Sequence, residues 1–255
     1  YAPLFEKTNF AFNIKKLEEK ITPKTKIILI NTPVNHSGYV ATLEDLQAIA
    51  DLAHCKNLLI VSDESYDKMV YDGLKHHSIG SLPGMKERTI TIQSFSKSYN
   101  MLLWRIGYIA AIPEFIERFN LVFEWMALSA NYFAQKTAIS AINGPQDWIN
   151  QISSDFQKNR DIVIAKVAEI DGISMIKPKG GPFAFINISQ LGLESELVTD
   201  FLLSKYGLPT VPGIYSQSPR HIRLSFGATP EIINEAMRRL SLAINELHNK
   251  SFDIN

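Results

Sequence analysis

Short apolar runs alternate along the chain with longer stretches in which apolar residues recur every three or four positions, the alternation expected of an α/β protein. Lys26–Ile30 reads as a buried strand ending in the turn-rich Asn31-Thr-Pro-Val-Asn-His-Ser-Gly38. Thr42 suits a helix N-cap with Asp45 three residues on, and Leu43, Leu46, Ile49, Ala50 and Ala53 continue the helical stripe. Leu58–Val61 predicts a second strand before Ser62-Asp-Glu-Ser-Tyr66, and Thr89–Ile92 a third that runs into Gln93-Ser-Phe-Ser-Lys97. Ile106–Ala111 predicts a fourth. Pro113 stands at a suitable first helical position, with helix expected to about Leu128.

Asn143-Gly-Pro145 is the clearest break. Beyond it Gln146–Ile170 reads as one long helix stopped at Asp171-Gly172, Phe183–Ile188 and His221–Phe226 as strands, and Pro230–Leu247 as a helix. The pattern therefore predicts a mostly parallel sheet in residues 1–144, and a smaller α+β domain in 145–255 that includes the long connecting helix. Only about ten residues part the third and fourth strands, too few for a helical crossover, so these two pair antiparallel if they pair at all. Arg105 would then lie beyond the same sheet edge as Lys97. Asn35 and Asp63 also follow the carboxyl ends of their strands, the edge at which open α/β sheets bind ligands.

Composition narrows the function classes. The 255 residues are 45% hydrophobic, and 26 basic residues balance 26 acidic ones, which argues against a nucleic-acid partner. No run approaches the length of a membrane span. The single cysteine, Cys55, excludes an internal disulfide framework, fits a reducing compartment and is expected as a half-buried helix residue. No metal-ligand set is expected.

The residues at the sheet edge carry a recognisable chemistry. Lysine is the side chain that forms a Schiff base with a carbonyl cofactor, provided neighbours or desolvation depress its pKa, and Lys97 has Arg105 at the same edge. Arg105 could also grip a phosphate bidentately, with the Ser94 hydroxyl on the same anion. A carboxylate such as Asp63 can keep a pyridinium nitrogen protonated, while Tyr66 and Asn35 could hydrogen-bond a phenolic oxygen.

Five motifs stand in register: Asn-x-Pro-x-Asn-x-x-Gly (Asn31–Gly38), Ser-Asp-Glu-x-Tyr (Ser62–Tyr66), Ser-Phe-Ser-Lys-x-Tyr (Ser94–Tyr99), Trp-Arg-Ile-Gly-Tyr (Trp104–Tyr108) and Ile-Arg-Leu-Ser-Phe (Ile222–Phe226). Together they strongly resemble class I/II aminotransferases, pyridoxal-phosphate enzymes of the aspartate aminotransferase fold (fold type I), over about Asn9 to Leu247. The resemblance implies that residues 1–144 are part of the large cofactor domain and that the activity is amino transfer between an amino acid and a 2-oxo acid. It implies Lys97 as the Schiff-base lysine and proton shuttle, and Asp63 as partner of the pyridine nitrogen. Asn35 and Tyr66 would bind the phenolic oxygen, Ser94 and Arg105 the phosphate, and Arg223 the substrate α-carboxylate. A cytoplasmic homodimer is expected, with the aromatic-rich Phe115–Phe133 segment as apolar surface.

Some positions depart from the family pattern. Where the family commonly reads Asn-Pro-Thr-Gly, this chain has Asn35-His-Ser-Gly38. His36 is expected as a turn residue, because no motif position asks for a base there. Leu103 stands where the family has glycine or another small residue, adding bulk near the presumed phosphate site. Arg220 matches no motif position and reads as a surface charge.

Other readings remain open on these residues. Ser94-Phe-Ser-Lys97 satisfies the Ser-x-x-Lys pattern of penicillin-binding enzymes, but without its Lys-Thr-Gly and Ser-Asp-Asn partners. A β-lyase or decarboxylase would use the same cofactor residues, and a non-catalytic ligand-sensing domain could share the fold. The resemblance further implies an N-terminal part ahead of Tyr1, carrying a glycine-containing loop that cradles the phosphate with backbone N–H groups and an aromatic that stacks on the ring. Neither is found in these 255 residues, so this chain alone is expected to bind pyridoxal phosphate poorly.

Overall fold

A computed structural model describes the backbone of residues 1–252 and the side chains of residues 1–248. Internal contacts divide the chain into two units, Tyr1–Pro33 with Tyr39–Ser153, and Val34–Gly38 with Ser154–Asn255.

In the first unit a short helix α1 (Ile14–Glu19) precedes strand β1 (Ile27–Asn31). Helix α2 (Leu43–Cys55), strands β2 (Leu59–Asp63) and β3 (Thr89–Ser94), one-turn helix α3 (Phe95–Ser98) and strand β4 (Gly107–Ala110) follow. Helices α4 (Pro113–Ala127) and α5 (Tyr132–Asn143) come next, and the division between units falls inside α6 (Asp147–Ala168). The strands lie in the order β1-β2-β3-β4. The first three are parallel, and β4 runs antiparallel to β3 with Ser94 opposite Gly107, as the short connection requires.

Thr42 starts α2 through a reciprocal capping box: its Oγ1 accepts from Asp45 N–H at 3.1 Å, and Asp45 Oδ2 accepts from Thr42 N–H at 3.0 Å. The Tyr39 hydroxyl donates to the same carboxylate oxygen at 2.5 Å. Leu46, Ile49, Ala50, Leu52 and Ala53 of α2 are buried and pack with Ile28, Ile30, Leu58, Ile60, Ile79 and Met85 in one core. Leu43, expected on this stripe, is exposed because the first helical residue lies beyond the sheet, and Leu52 takes part instead. Cys55, the last residue of α2, is likewise exposed rather than half-buried. Among the described residues no helix is long and apolar enough to cross a membrane.

The second unit continues α6 and adds β5 (Ser174–Met175), β6 (Phe183–Asn187), α7 (Ser195–Tyr206), β7 (Val211–Pro212), β8 (His221–Ser225) and α8 (Pro230–Phe252). Its sheet, ordered β5-β6-β8-β7, is antiparallel throughout. Asn159 on α6 is buried and donates to the carbonyls of Phe226 (3.2 Å) and Ala228 (2.8 Å), fixing the exit of β8. The neighbouring Arg160 guanidinium is wholly buried, donating to Pro178 O at 3.1 Å and to Asp161 Oδ1.

The five residues Val34–Gly38 belong to this unit although they follow β1 in the chain. The Gly38 carbonyl accepts from both Lys179 N–H and Gly180 N–H at 2.9 Å. Gly38 has φ +66°, and a Cβ there would stand 2.4 Å from Gly180 O and from Pro178 Cβ. Only glycine fits both the backbone conformation and the space.

Candidate active site

In the first unit, five of the sequence-predicted residues gather beyond the carboxyl edge of β2 and β3. Asp63 ends β2, and its Oδ1 accepts from Ser65 N–H (3.0 Å) and from the Ser65 hydroxyl (2.6 Å), a local turn that fixes the carboxylate. Its Oδ2 accepts no hydrogen bond among the described residues. Tyr66 is buried in the same turn, where its carbonyl accepts from Met69 N–H at 2.8 Å. Ser94 ends β3 and caps α3, its Oγ accepting from Ser96 N–H at 3.1 Å, which leaves the hydroxyl hydrogen to donate elsewhere.

Lys97 is half-buried in α3, and the next residue, Ser98, donates to Asp67 Oδ1 at 3.0 Å. That bond ties the lysine-bearing turn to the turn that carries Asp63 and Tyr66. Arg105 precedes β4 in a left-handed conformation (φ 51°, ψ 52°) and donates to Leu102 O at 2.9 Å. Its guanidinium is otherwise exposed, with further N–H groups directed to solvent. Leu103, whose bulk was a concern for the phosphate site, is 89% exposed.

One residue escaped the sequence reading. Glu64 is buried beside Asp63 and collects three donors: the hydroxyls of Ser62 and Ser78 at 2.8 Å each and a ring nitrogen of His76 at 3.1 Å. Its own N–H donates to Ile92 O at 2.9 Å, locking the exit of β2 to β3. A buried carboxylate needs such a set of donors, and no local spacing announces partners 12 and 14 residues away.

The other two predicted residues, Asn35 and Arg223, meet in the second unit. Arg223 on β8 donates through Nη1 to Asn35 Oδ1, and its guanidinium carbon lies 4.2 Å over the Phe183 ring. His36, adjacent to Asn35, is mostly buried. Burial, the Arg223 guanidinium and His221 together push its ring down to about 4, so it is neutral at physiological pH. Arg220, read as a surface charge, forms a partly exposed ion pair with Glu194 at 3.0 Å.

The chemistry of the first group suits a phosphorylated pyridine aldehyde. An anchored carboxylate with one open oxygen matches a pyridinium N–H, a hydroxyl and an exposed guanidinium match a phosphate, and a half-buried amine matches a carbonyl carbon.

Comparison with known proteins agrees with this architecture. The model of the family "aminotransferase class I and II" matches residues 1–240. The chain belongs to that family. It is 35% identical over 249 residues to aromatic-amino-acid aminotransferase 2 of Thermococcus litoralis, covering 96% of this chain. It is 34% identical over 248 residues to the aspartate aminotransferase of Pyrococcus abyssi, again over 96% of this chain. The crystal structure of the aromatic aminotransferase from Pyrococcus horikoshii OT3 superposes with a TM-score of 0.91 at 33% identity, over 96% of this chain and 66% of that one. The fold is thus that of the aspartate aminotransferases, and the chain spans 64% of the length of either sequence relative.

Proposed function

We propose that this chain is the catalytic portion of a pyridoxal-phosphate-dependent aminotransferase that moves an amino group between an amino acid and a 2-oxo acid. The observation that carries the reading is the common edge of β2 and β3, where Asp63 presents an open carboxylate oxygen and Lys97 follows one turn beyond Ser94. The names of the relatives, which act on aromatic amino acids and on aspartate, support the substrate class.

Pyridoxal phosphate, when bound, supplies a ring that accepts the electron pair left behind when a proton leaves the substrate α-carbon. In this reading Lys97 Nζ would hold the cofactor carbonyl, and the same amine would move that proton as a general base and acid. Asp63 Oδ2 would keep a proton on the ring nitrogen, and the two hydrogen bonds from Ser65 hold the carboxylate in place through Oδ1. Ser94 and Arg105 hold the phosphate, and Tyr66 and Asn35 the phenolic oxygen. Arg223, oriented by Asn35 and by the face of Phe183, takes the substrate carboxylate.

The working form in this proposal is a cytoplasmic homodimer. Its support is α4, none of whose residues is buried and whose Trp125 and Met126 are 92% and 78% exposed, an apolar surface of the kind that subunits cover.

Borohydride reduction in the presence of pyridoxal phosphate, followed by peptide mass mapping, is expected to place a pyridoxyl group on Lys97. In the protein at its full natural length, Lys97→Ala is expected to lower turnover by at least about 10²–10⁴-fold, the range for loss of a positioned acid–base group. A label on a different lysine overturns the assignment.

A further inference from the structure

The second unit holds a histidine for which the roles above have no use. The His36 ring meets Phe185 edge-on, with centroids 5.1 Å apart and planes at 65°. Phe185 in turn stacks on His221 at 4.6 Å and 15°. Phe185 is also the register partner of Arg223 across β6 and β8, and Asn35, the residue before His36, accepts the hydrogen bond of Arg223. Two imidazoles and one guanidinium therefore share a small aromatic floor built by Phe183 and Phe185.

We propose that His36 couples anion capture at Arg223 to proton uptake, so that a carboxylate entering this floor at acid pH raises the protonation of the imidazole. The proposal rests on the reading of Arg223 as the carboxylate-holding residue. Without an anion the ring is mostly neutral down to about pH 5, because burial and the positive charge of Arg223 both oppose its protonation, with His221 adding a smaller effect. Arg223 and His221, both on β8, are the titratable groups that act on it. Its own segment Val34–Gly38 and strand β6 contain no other ionisable side chain. A bound carboxylate offsets the positive charge of Arg223, the larger of the two charge effects, and leaves the proton affinity of the ring higher. Linkage then requires the reverse effect: a protonated His36 strengthens carboxylate binding by the same factor.

An upward move of about one unit from a midpoint near 4 corresponds to roughly twofold tighter binding at pH 5 than at pH 8, and about fivefold at pH 4. Pyruvate is a suitable probe, since the carboxyl of a 2-oxo acid stays ionised over this range. NMR titration of the histidine-labelled chain from pH 8 to pH 4 is expected to show the His36 midpoint moving up by about one unit at saturating pyruvate. His36→Phe, which keeps a ring in the floor, and His36→Gln are both expected to bind pyruvate at pH 8 as the parent does and to lose the strengthening at low pH. An unmoved His36 midpoint together with equal pyruvate affinity at pH 5 and pH 8 overturns the proposal while leaving the Arg223 reading intact. Undiminished pyruvate binding by Arg223→Gln overturns the Arg223 reading itself, and so does a parent chain that binds no pyruvate at either pH; the proposal falls with it.

Discussion

The two sheets of this protein use similar residues and are packed differently. In the first, β1 buries Ile28 and Ile30 against α2 and turns Ile27 and Leu29 away, leaving Leu29 70% exposed. All four residues of β4 are exposed as well. In the second, β6 buries Ala184, Phe185 and Ile186 in succession, and β8 buries His221, Ile222 and Leu224. Strand β1 buries alternate residues and β6 three in succession. Hydrophobicity alone does not separate them, since Ile27 and Leu29 are as apolar as Ile186 and Ile222. What differs is how much of the strand's second face is buried. Strand β1 is therefore expected to tolerate change at Ile27 and Leu29. In both units a single added atom can disturb a backbone contact, at Gly107 against Gln93 O as at Gly38 against Gly180 O.

The largest effect is expected at Gly38. Gly38→Ala forces a positive φ on an L-residue and drives a Cβ into Gly180 O and Pro178 Cβ, for an expected loss of about 4 kcal/mol. Thermal unfolding followed by circular dichroism checks this, and an unchanged midpoint would show that the Lys177–Gly181 loop yields freely. Next in size is a matched pair in the first unit. Leu46→Ala is expected to cost about 3 kcal/mol through the cavity it leaves, and Leu29→Ala less than about 0.5 kcal/mol, in denaturant titrations. Equal losses would contradict the one-sided burial of β1. Between these two falls the capping box, where Thr42→Ala removes one of the two reciprocal bonds for an expected loss of about 1 kcal/mol.

Local chemistry made much of the first unit legible. Thr42 and Asp45 announce the start of α2, and the short link between β3 and β4 fixes their antiparallel pairing, which brings Arg105 to the edge where β3 ends. The motif residues Asp63, Tyr66, Ser94 and Lys97 sit at strand ends and turns, as their positions in the pattern require. Legibility stopped where partners are remote. Nothing near Glu64 reveals that Ser78 and His76 will neutralise its burial, and nothing near Asn35 reveals Arg223. The same holds for His36, which as a sequence position is a departure from a proline and in the fold is part of an aromatic floor with Phe185 and His221. The associations of Asn35 and His36 depend on the pairing of β6 with β8, a non-local event that no window of the chain contains.

The placement of Val34–Gly38 within the second unit also has a consequence in time. Asn35 and Arg223 are separated by 188 residues, and Gly38 waits almost as long for Lys179 and Gly180. At a synthesis rate of about 5–20 residues per second, a ribosome needs roughly 10–40 s between adding Asn35 and adding its partner. The first unit's sheet can be complete well before then, its residues being encoded largely ahead of α6. During that interval the five-residue segment leaves β1 with its hydrogen-bonding partners not yet made. The hydrogen bond by which Asn35 orients Arg223, the residue proposed to take the substrate carboxylate, is thus a late feature in the chain's synthesis.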